Sequence, residues 1–410
     1  MRAAPLAVVM LLPLMTAPAC AGSVSSSPRI GVNRSVALWD APLEIVITHL
    51  APHERGVVRA TTIDGAGKPW VSSTAVRANG AGRVVLRGDG ALRVLWSLHP
   101  PSAGPADYYH YVPPSTGERV LLALRVDGRT VSATSLTRRL VAPGERVRAL
   151  RPARVGFYGE MFEPSRRPAR SPAVLLFGGS EGGLTTGGIA ALLAAHGYPT
   201  LALAYFGEPG LPRNLLRIRL EYFAHALRWL AAQRGVDPGE LVVAGISRGS
   251  EAAQLVAVHY PGLVHAVVAL VPSNAAVCGI PRVRGTNPVR CLGPAWTFRG
   301  RAIPYSAAAN PFATDAIPDE RIRGPIFLDC GGQDALWPSC LMAHAIVRRL
   351  RAHHFTHTVT LLEYRNAGHG VGFLLPYDPI YLPTGGTISA DQRARAAGWP
   401  RLLAFLNSLR

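Results

Sequence analysis

The chain alternates apolar and polar positions in short runs over its first third, and then gathers apolar residues into continuous runs. Between about residues 35 and 141 the extended candidates are 43–47, 57–63, 84–86, 94–98, 120–126 and 130–134. Asp64-Gly65, Asn79-Gly80 and Val126-Asp127-Gly128-Arg129 supply turns between them, the last a strong hairpin signal. Short strands without a convincing helix predict a small β-sandwich of immunoglobulin-like type over 28–150.

After about Val155 the texture changes. The apolar runs 174–177, 200–204, 241–244, 264–270, 326–328 and 359–362 read as buried parallel strands. Between them lie helical patterns, clearest over 214–233, where Leu216, Leu220, Phe223, Leu227 and Leu230 recur at helical spacing, and 399–409 closes the series. This predicts an α/β domain over 151–410, a mostly parallel, doubly wound sheet with helices on both faces. The stretch 164–172, rich in proline and arginine, reads as a loop.

Composition changes this picture in two places. The chain has 410 residues and a net charge of +18, with 43 basic and 25 acidic residues, yet Lys68 is its single lysine. Scattered arginines without a basic run interleaved with aromatics read as compositional bias, so no nucleic-acid partner is expected. At the N-terminus, Arg2, an apolar run from Leu6 to Met15, and the small residues around Cys20 and Ala21 have the layout of an export signal over 1–21. Were it a lipoprotein signal ending at 19, Cys20 would carry the lipid and be the only membrane attachment. Export makes disulfides possible for Cys278, Cys291, Cys330 and Cys340, and nearest-neighbour pairing joins Cys278 to Cys291 and Cys330 to Cys340.

The chemistry gathers at three glycine-flanked positions. Gly245-Ile246-Ser247-Arg248-Gly249 follows an apolar strand and opens an alanine-rich helical pattern, the setting of a nucleophile elbow. Asp334 follows the strand 326–328 through Gly331-Gly332 and can reach the same sheet edge, whereas Asp329 lies in the strand body and reads as structural. His369, in Asn366-Ala367-Gly368-His369-Gly370 after the last predicted strand, is the candidate base. The order Ser247, Asp334, His369 is that of α/β-hydrolases. The backbone N–H of Arg248 and, from Phe177-Gly178-Gly179-Ser180, that of Ser180 are the candidate oxyanion donors. His353, His354 and His357 end an arginine-rich helix and read as solvated surface. The glycine loop lacks the lysine of a phosphate loop and the spacing of a dinucleotide fingerprint. No metal or cofactor is expected.

In this order the segments resemble the acyl-CoA thioesterase and bile acid-CoA:amino acid N-acyltransferase family, over nearly the whole mature chain. The likeness rests on Pro42-Leu43-Glu44-Ile45, Leu95-Trp96-Ser97-Leu98, Leu175-Leu176-Phe177-Gly178-Gly179-Ser180, Leu203-Ala204-Tyr205-Phe206, Leu220-Glu221-Tyr222-Phe223, the Ser247 motif, Gly332-Gln333-Asp334 and Gly368-His369. It implies a β-sandwich before an α/β-hydrolase domain, Ser247 as nucleophile, Asp334 as orienter and His369 as base. Aminoacyl-transferring members of the family use Cys as nucleophile and its thioesterases Ser, so the resemblance implies hydrolysis of an acyl thioester or ester. Export sets the chain apart from members that meet CoA esters inside the cell. It leaves an exported carboxylesterase, an acyltransferase on a non-CoA substrate, or a non-catalytic surface binding protein as alternatives.

Overall fold

Alternation in the N-terminal third becomes sheets with one face buried. In Arg55–Ile63, Gly56, Val58, Ala60 and Thr62 are buried while Arg55, Arg59 and Ile63 face out. The computed structural model describes residues 1, 27–101, 117–166, 170–282, 290–379 and 384–410, so the export segment and Cys20 lie outside the described residues. Arg55–Ile63 pairs antiparallel with Pro69–Arg77 and Glu118–Val126, in a five-stranded sheet completed by Arg129–Arg139 and Val36–Leu38. Asp127 and Gly128 make the expected hairpin at φ 46° and 73°, the two positive values that match the turn to the strand twist. A three-stranded sheet of Arg29–Val32, Ile45–Thr48 and Val84–Leu86 shares its apolar cluster through Ile45, Ile47, Val58 and Leu122.

The strand expected at 94–98 is instead the end of a helix, Asp89–Trp96. Ala91, Val94 and Leu95 sit three and four residues apart on one buried face, and Asp89 stands in the first turn, where the helix dipole favours an acid.

The larger sheet has eight strands, numbered here in chain order: β1 Arg146–Leu150, β2 Tyr158–Glu163, β3 Ser171–Phe177, β4 Thr200–Ala204, β5 Val236–Ile246, β6 Ala266–Leu270, β7 Ile326–Gly331 and β8 Val359–Tyr364. Their spatial order is β8-β7-β6-β5-β3-β4-β2-β1. β3 to β8 run parallel, and β2 joins β4 and β1 antiparallel. Every residue of β3, β4 and β6 is buried, as two helix-covered faces require. The longer helices of this domain are α1 Gly187–Ala195, α2 Leu220–Ala231, α3 Arg248–His259, α4 Ser339–Ala352 and α5 Ile388–Asn407. This is the α/β-hydrolase fold, with its sheet order reversing where β5 adds beside β3.

One apolar cluster runs from the N-terminal sheets into the larger sheet and includes Trp39, Leu140, Ile189, Leu375 and Leu402. Arg138 stacks 3.6 Å over the Trp39 ring and donates to the Tyr377 carbonyl at 3.1 Å. Asp40 accepts the Trp399 indole N–H at 2.8 Å and meets His196. Burial alone would raise the Asp40 carboxyl, but the bond and charge of His196 take it below the ordinary value.

Of the two expected cysteine pairs one forms. Cys330 in β7 is bonded to Cys340 in the first turn of α4. Cys278 and Cys291 are free thiols, which corrects the second pairing. The Cys278 thiol points to the Ala307 carbonyl at 3.1 Å, and burial, then the neighbouring Cys291 thiol, push it up to about 12.

Candidate active site

Ser247 sits between β5 and α3 at φ 55° and ψ −120°, a conformation side-chain-bearing residues rarely adopt. The flanking glycines are required by space. A Cβ on Gly245 would stand 2.1 Å from the Gly249 carbonyl oxygen, and one on Gly249 would stand 2.3 Å from that of Gly178. The turn is tied to the next strand by Ser247 N–H donating to Leu270 O at 2.9 Å. α3 starts at Arg248, so the N–H groups of its first turn lack intrahelical acceptors beside the serine.

Asp334 follows β7 by three residues and His369 follows β8 by five, at the same carboxyl edge. Their bond, His369 Nδ1 to Asp334 Oδ2, is 2.7 Å between side chains 3% and 1% exposed. The other Asp334 oxygen accepts the N–H groups of Leu336 at 2.9 Å and Trp337 at 3.2 Å, so the carboxylate is fixed from both sides. The Trp337 ring stands edge-on to His369, centroids 5.7 Å apart, and its indole N–H donates to the Val271 carbonyl, next to Leu270. The structure thus brings Ser247, Asp334 and His369 to one edge and joins the last two directly.

Asp329 is buried in β7 and accepts Val271 N–H at 3.0 Å. Burial raises its carboxyl to about 7 against the pull of that N–H. His353, His354 and His357 line a cavity of about 500 Å³ with Arg321 and Arg323, and among the described residues no group of three His, Cys, Asp or Glu side chains is placed to hold a metal ion.

Several residues that shape the site carry no sequence signal. Asp391, inside α5, accepts the Gly368 N–H at 2.6 Å and so holds the loop that presents His369. Glu251 is fully buried one turn into α3, paired with Arg248 at 3.0 Å and accepting from Trp296 Nε1 at 2.8 Å and Val277 N at 3.2 Å. Burial raises it to about 7, with Arg248 and the two N–H groups opposing. Arg248 also donates to the carbonyls of Val277 and Cys278.

In the loop after β3, the residue that meets the elbow is Gly179, one before the Ser180 expected from sequence. A Cβ there would lie 3.0 Å from Ser247 Cβ and 3.1 Å from Ile246 O. Its N–H donates to both oxygens of Glu181, at 2.9 and 3.1 Å.

Residues 218–409, which include Ser247, Asp334 and His369, match the family model described as BAAT / acyl-CoA thioester hydrolase C terminal. Acyl-coenzyme A thioesterase 6 of Mus musculus is 26% identical, over 90% of this chain and 93% of its own length. Acyl-coenzyme A thioesterase 1 of Homo sapiens is 27% identical over the same shares. Among solved structures, esterase B of Lactobacillus rhamnosis covers 65% of this chain and 88% of its own, with a TM-score of 0.42 and 16% identity.

Proposed function

Since the chain belongs to the acyl-CoA thioesterase and bile acid-CoA:amino acid N-acyltransferase family, we propose that it is a serine hydrolase of acyl thioesters and esters working through Ser247, His369 and Asp334. The observation that carries this reading is a strained elbow at Ser247 and a buried, bonded His369–Asp334 pair, both placed at the carboxyl edge of one sheet.

In this mechanism Asp334 holds the Nδ1–H of His369, leaving Nε2 free to take the Ser247 proton. Ser247 Oγ attacks the acyl carbonyl, whose π electrons move onto oxygen. The oxyanion lies between the N–H of Arg248, aided by the positive end of α3, and an N–H of the turn 178–180. The carbonyl re-forms as the C–S or C–O bond breaks, and the proton on His369 goes to the departing thiolate or alkoxide. A water then gives a proton to His369 as its oxygen attacks the acyl-enzyme, the acyl bond to Ser247 Oγ breaks, and His369 returns the proton to Oγ as the acid leaves.

Ser247→Ala should lower kcat on acyl-CoA and p-nitrophenyl esters by about 10³-fold or more with the folded state retained. Near-normal turnover in that variant sinks the mechanism. A comparison of chain lengths, and of thioester with oxygen ester, assigns the substrate class.

Export is part of the same reading. The Cys330–Cys340 bond supports an oxidising compartment. Mass spectrometry of the mature chain should find an N-terminus near residue 20, and diacylglycerol on Cys20 if it is lipidated. An intact Met1 in the mature protein would refute export.

A further inference from the structure

Gly179 packs against Ser247, and its N–H is already taken. Glu181 folds back two residues so that both carboxylate oxygens accept from it, while Thr185 Oγ donates to Oε1 at 2.7 Å. The backbone makes room for this fold. A Cβ on Gly178 would fall 2.1 Å from Glu181 Oε1, and one on Gly179 would fall 3.2 Å from Oε2 and 3.0 Å from Ser247 Cβ. The carboxylate and the serine therefore flank the same glycine.

We propose that the Glu181 side chain is a resident latch: it occupies an oxyanion donor in the free protein, and the substrate's carbonyl oxygen displaces it. This rests on the serine-hydrolase reading above and concerns how that site is opened. The physical reason is charge. A carboxylate beside a developing oxyanion raises the transition state by Coulomb repulsion, the more so where water is excluded, so catalysis requires it to leave.

The rest of the loop is built to stay when it does. Tyr205 donates its hydroxyl to the carbonyls of Gly178 and Gly179, both at 3.0 Å. Burial first, and the charge of Glu181 second, raise that phenol well above its ordinary value, so it remains a donor. Arg282 Nε donates to the Glu181 carbonyl at 3.1 Å and its guanidinium also reaches the Gly207 carbonyl. With the backbone held at both places, opening needs only side-chain rotation of Glu181 away from a preformed donor.

The test is the rate at which a fluorophosphonate labels Ser247, read by intact mass and by mapping the modified peptide. The phosphoryl oxygen needs the same donor as the acyl oxygen. Glu181→Ala should label about tenfold faster than wild type, the factor for removing one competing hydrogen bond from a charged acceptor, and should show a lower KM for p-nitrophenyl esters. Thr185→Val, which cuts the second tether and leaves the carboxylate in place, should label faster by a smaller factor and serves if the alanine variant does not fold. Labelling of wild-type Ser247 that neither variant accelerates overturns the latch alone. Absence of label on wild-type Ser247 overturns the hydrolase reading and the latch together.

Discussion

His369 is held by two carboxylates that do different jobs. Asp334 bonds the ring, and Asp391 bonds the Gly368 N–H just before it. Losing the second leaves the ring's partner intact but frees the loop, and small displacements at a reacting group cost large factors in rate. Asp391→Ala should therefore lower kcat by about tenfold with KM little changed, while Asp391→Asn, which keeps an acceptor, should lose less. Equal losses in both variants would contradict the loop-holding role. At this scale Ser247 and His369 were legible as candidates because each stands between glycines that a tight turn needs, and Asp334 because a glycine turn precedes it. It hid Asp391, Glu181 and Trp337, whose roles come from contacts across the fold or from a local fold-back that no pattern announces. That Gly179 packs on Ser247 was hidden for the same reason: it depends on how closely the loop folds against the elbow.

Among elements, the parallel strands were legible because burial on both faces leaves an unbroken apolar run. β1, by contrast, reads Arg-Val-Arg-Ala-Leu with only Leu150 buried, and was missed. Its pairing comes from the edge of β2, an open row of backbone groups that needs no side-chain pattern. The helix Asp89–Trp96 was misread because its last residues, cut out alone, look like a short strand. Cys330–Cys340 links two elements and encloses the loop that carries Asp334 and Trp337. Reduction should cost about 2–3 kcal/mol through a looser unfolded chain, and should lower kcat because the carboxylate is less well held. Denaturant melts and kinetics with and without dithiothreitol check both, and unchanged kcat on full reduction would contradict the second.

For the whole molecule, the buried acids set the response to pH. Burial raises Glu251 and Asp329 to about 7 and Glu145 to about 8, against the pull of Arg248 and backbone or indole N–H groups. Their folded values lie above the unfolded ones near 4, so the folded chain keeps protons that the unfolded chain releases, and stability falls as pH rises from about 4 toward 8. Asp40 and Glu320 act the other way. Burial opposes but His196 outweighs it at Asp40, and the Arg349 bond lowers Glu320, so their contribution is lost as pH drops through their folded values. The denaturation midpoint should then be higher near pH 5 than near pH 8, and a profile rising across that range would contradict the assignment.

The bonded cysteines give this balance a geographical meaning. The loop of the proposed catalytic acid, Asp334, is stapled by chemistry that the surroundings supply, whereas the shared apolar cluster is not. A copy kept among reducing thiols would still assemble its strands, but Asp334 would ride on a slacker tether. On the export reading proposed above, the same sequence would fold in either compartment and turn over fastest in the oxidising one.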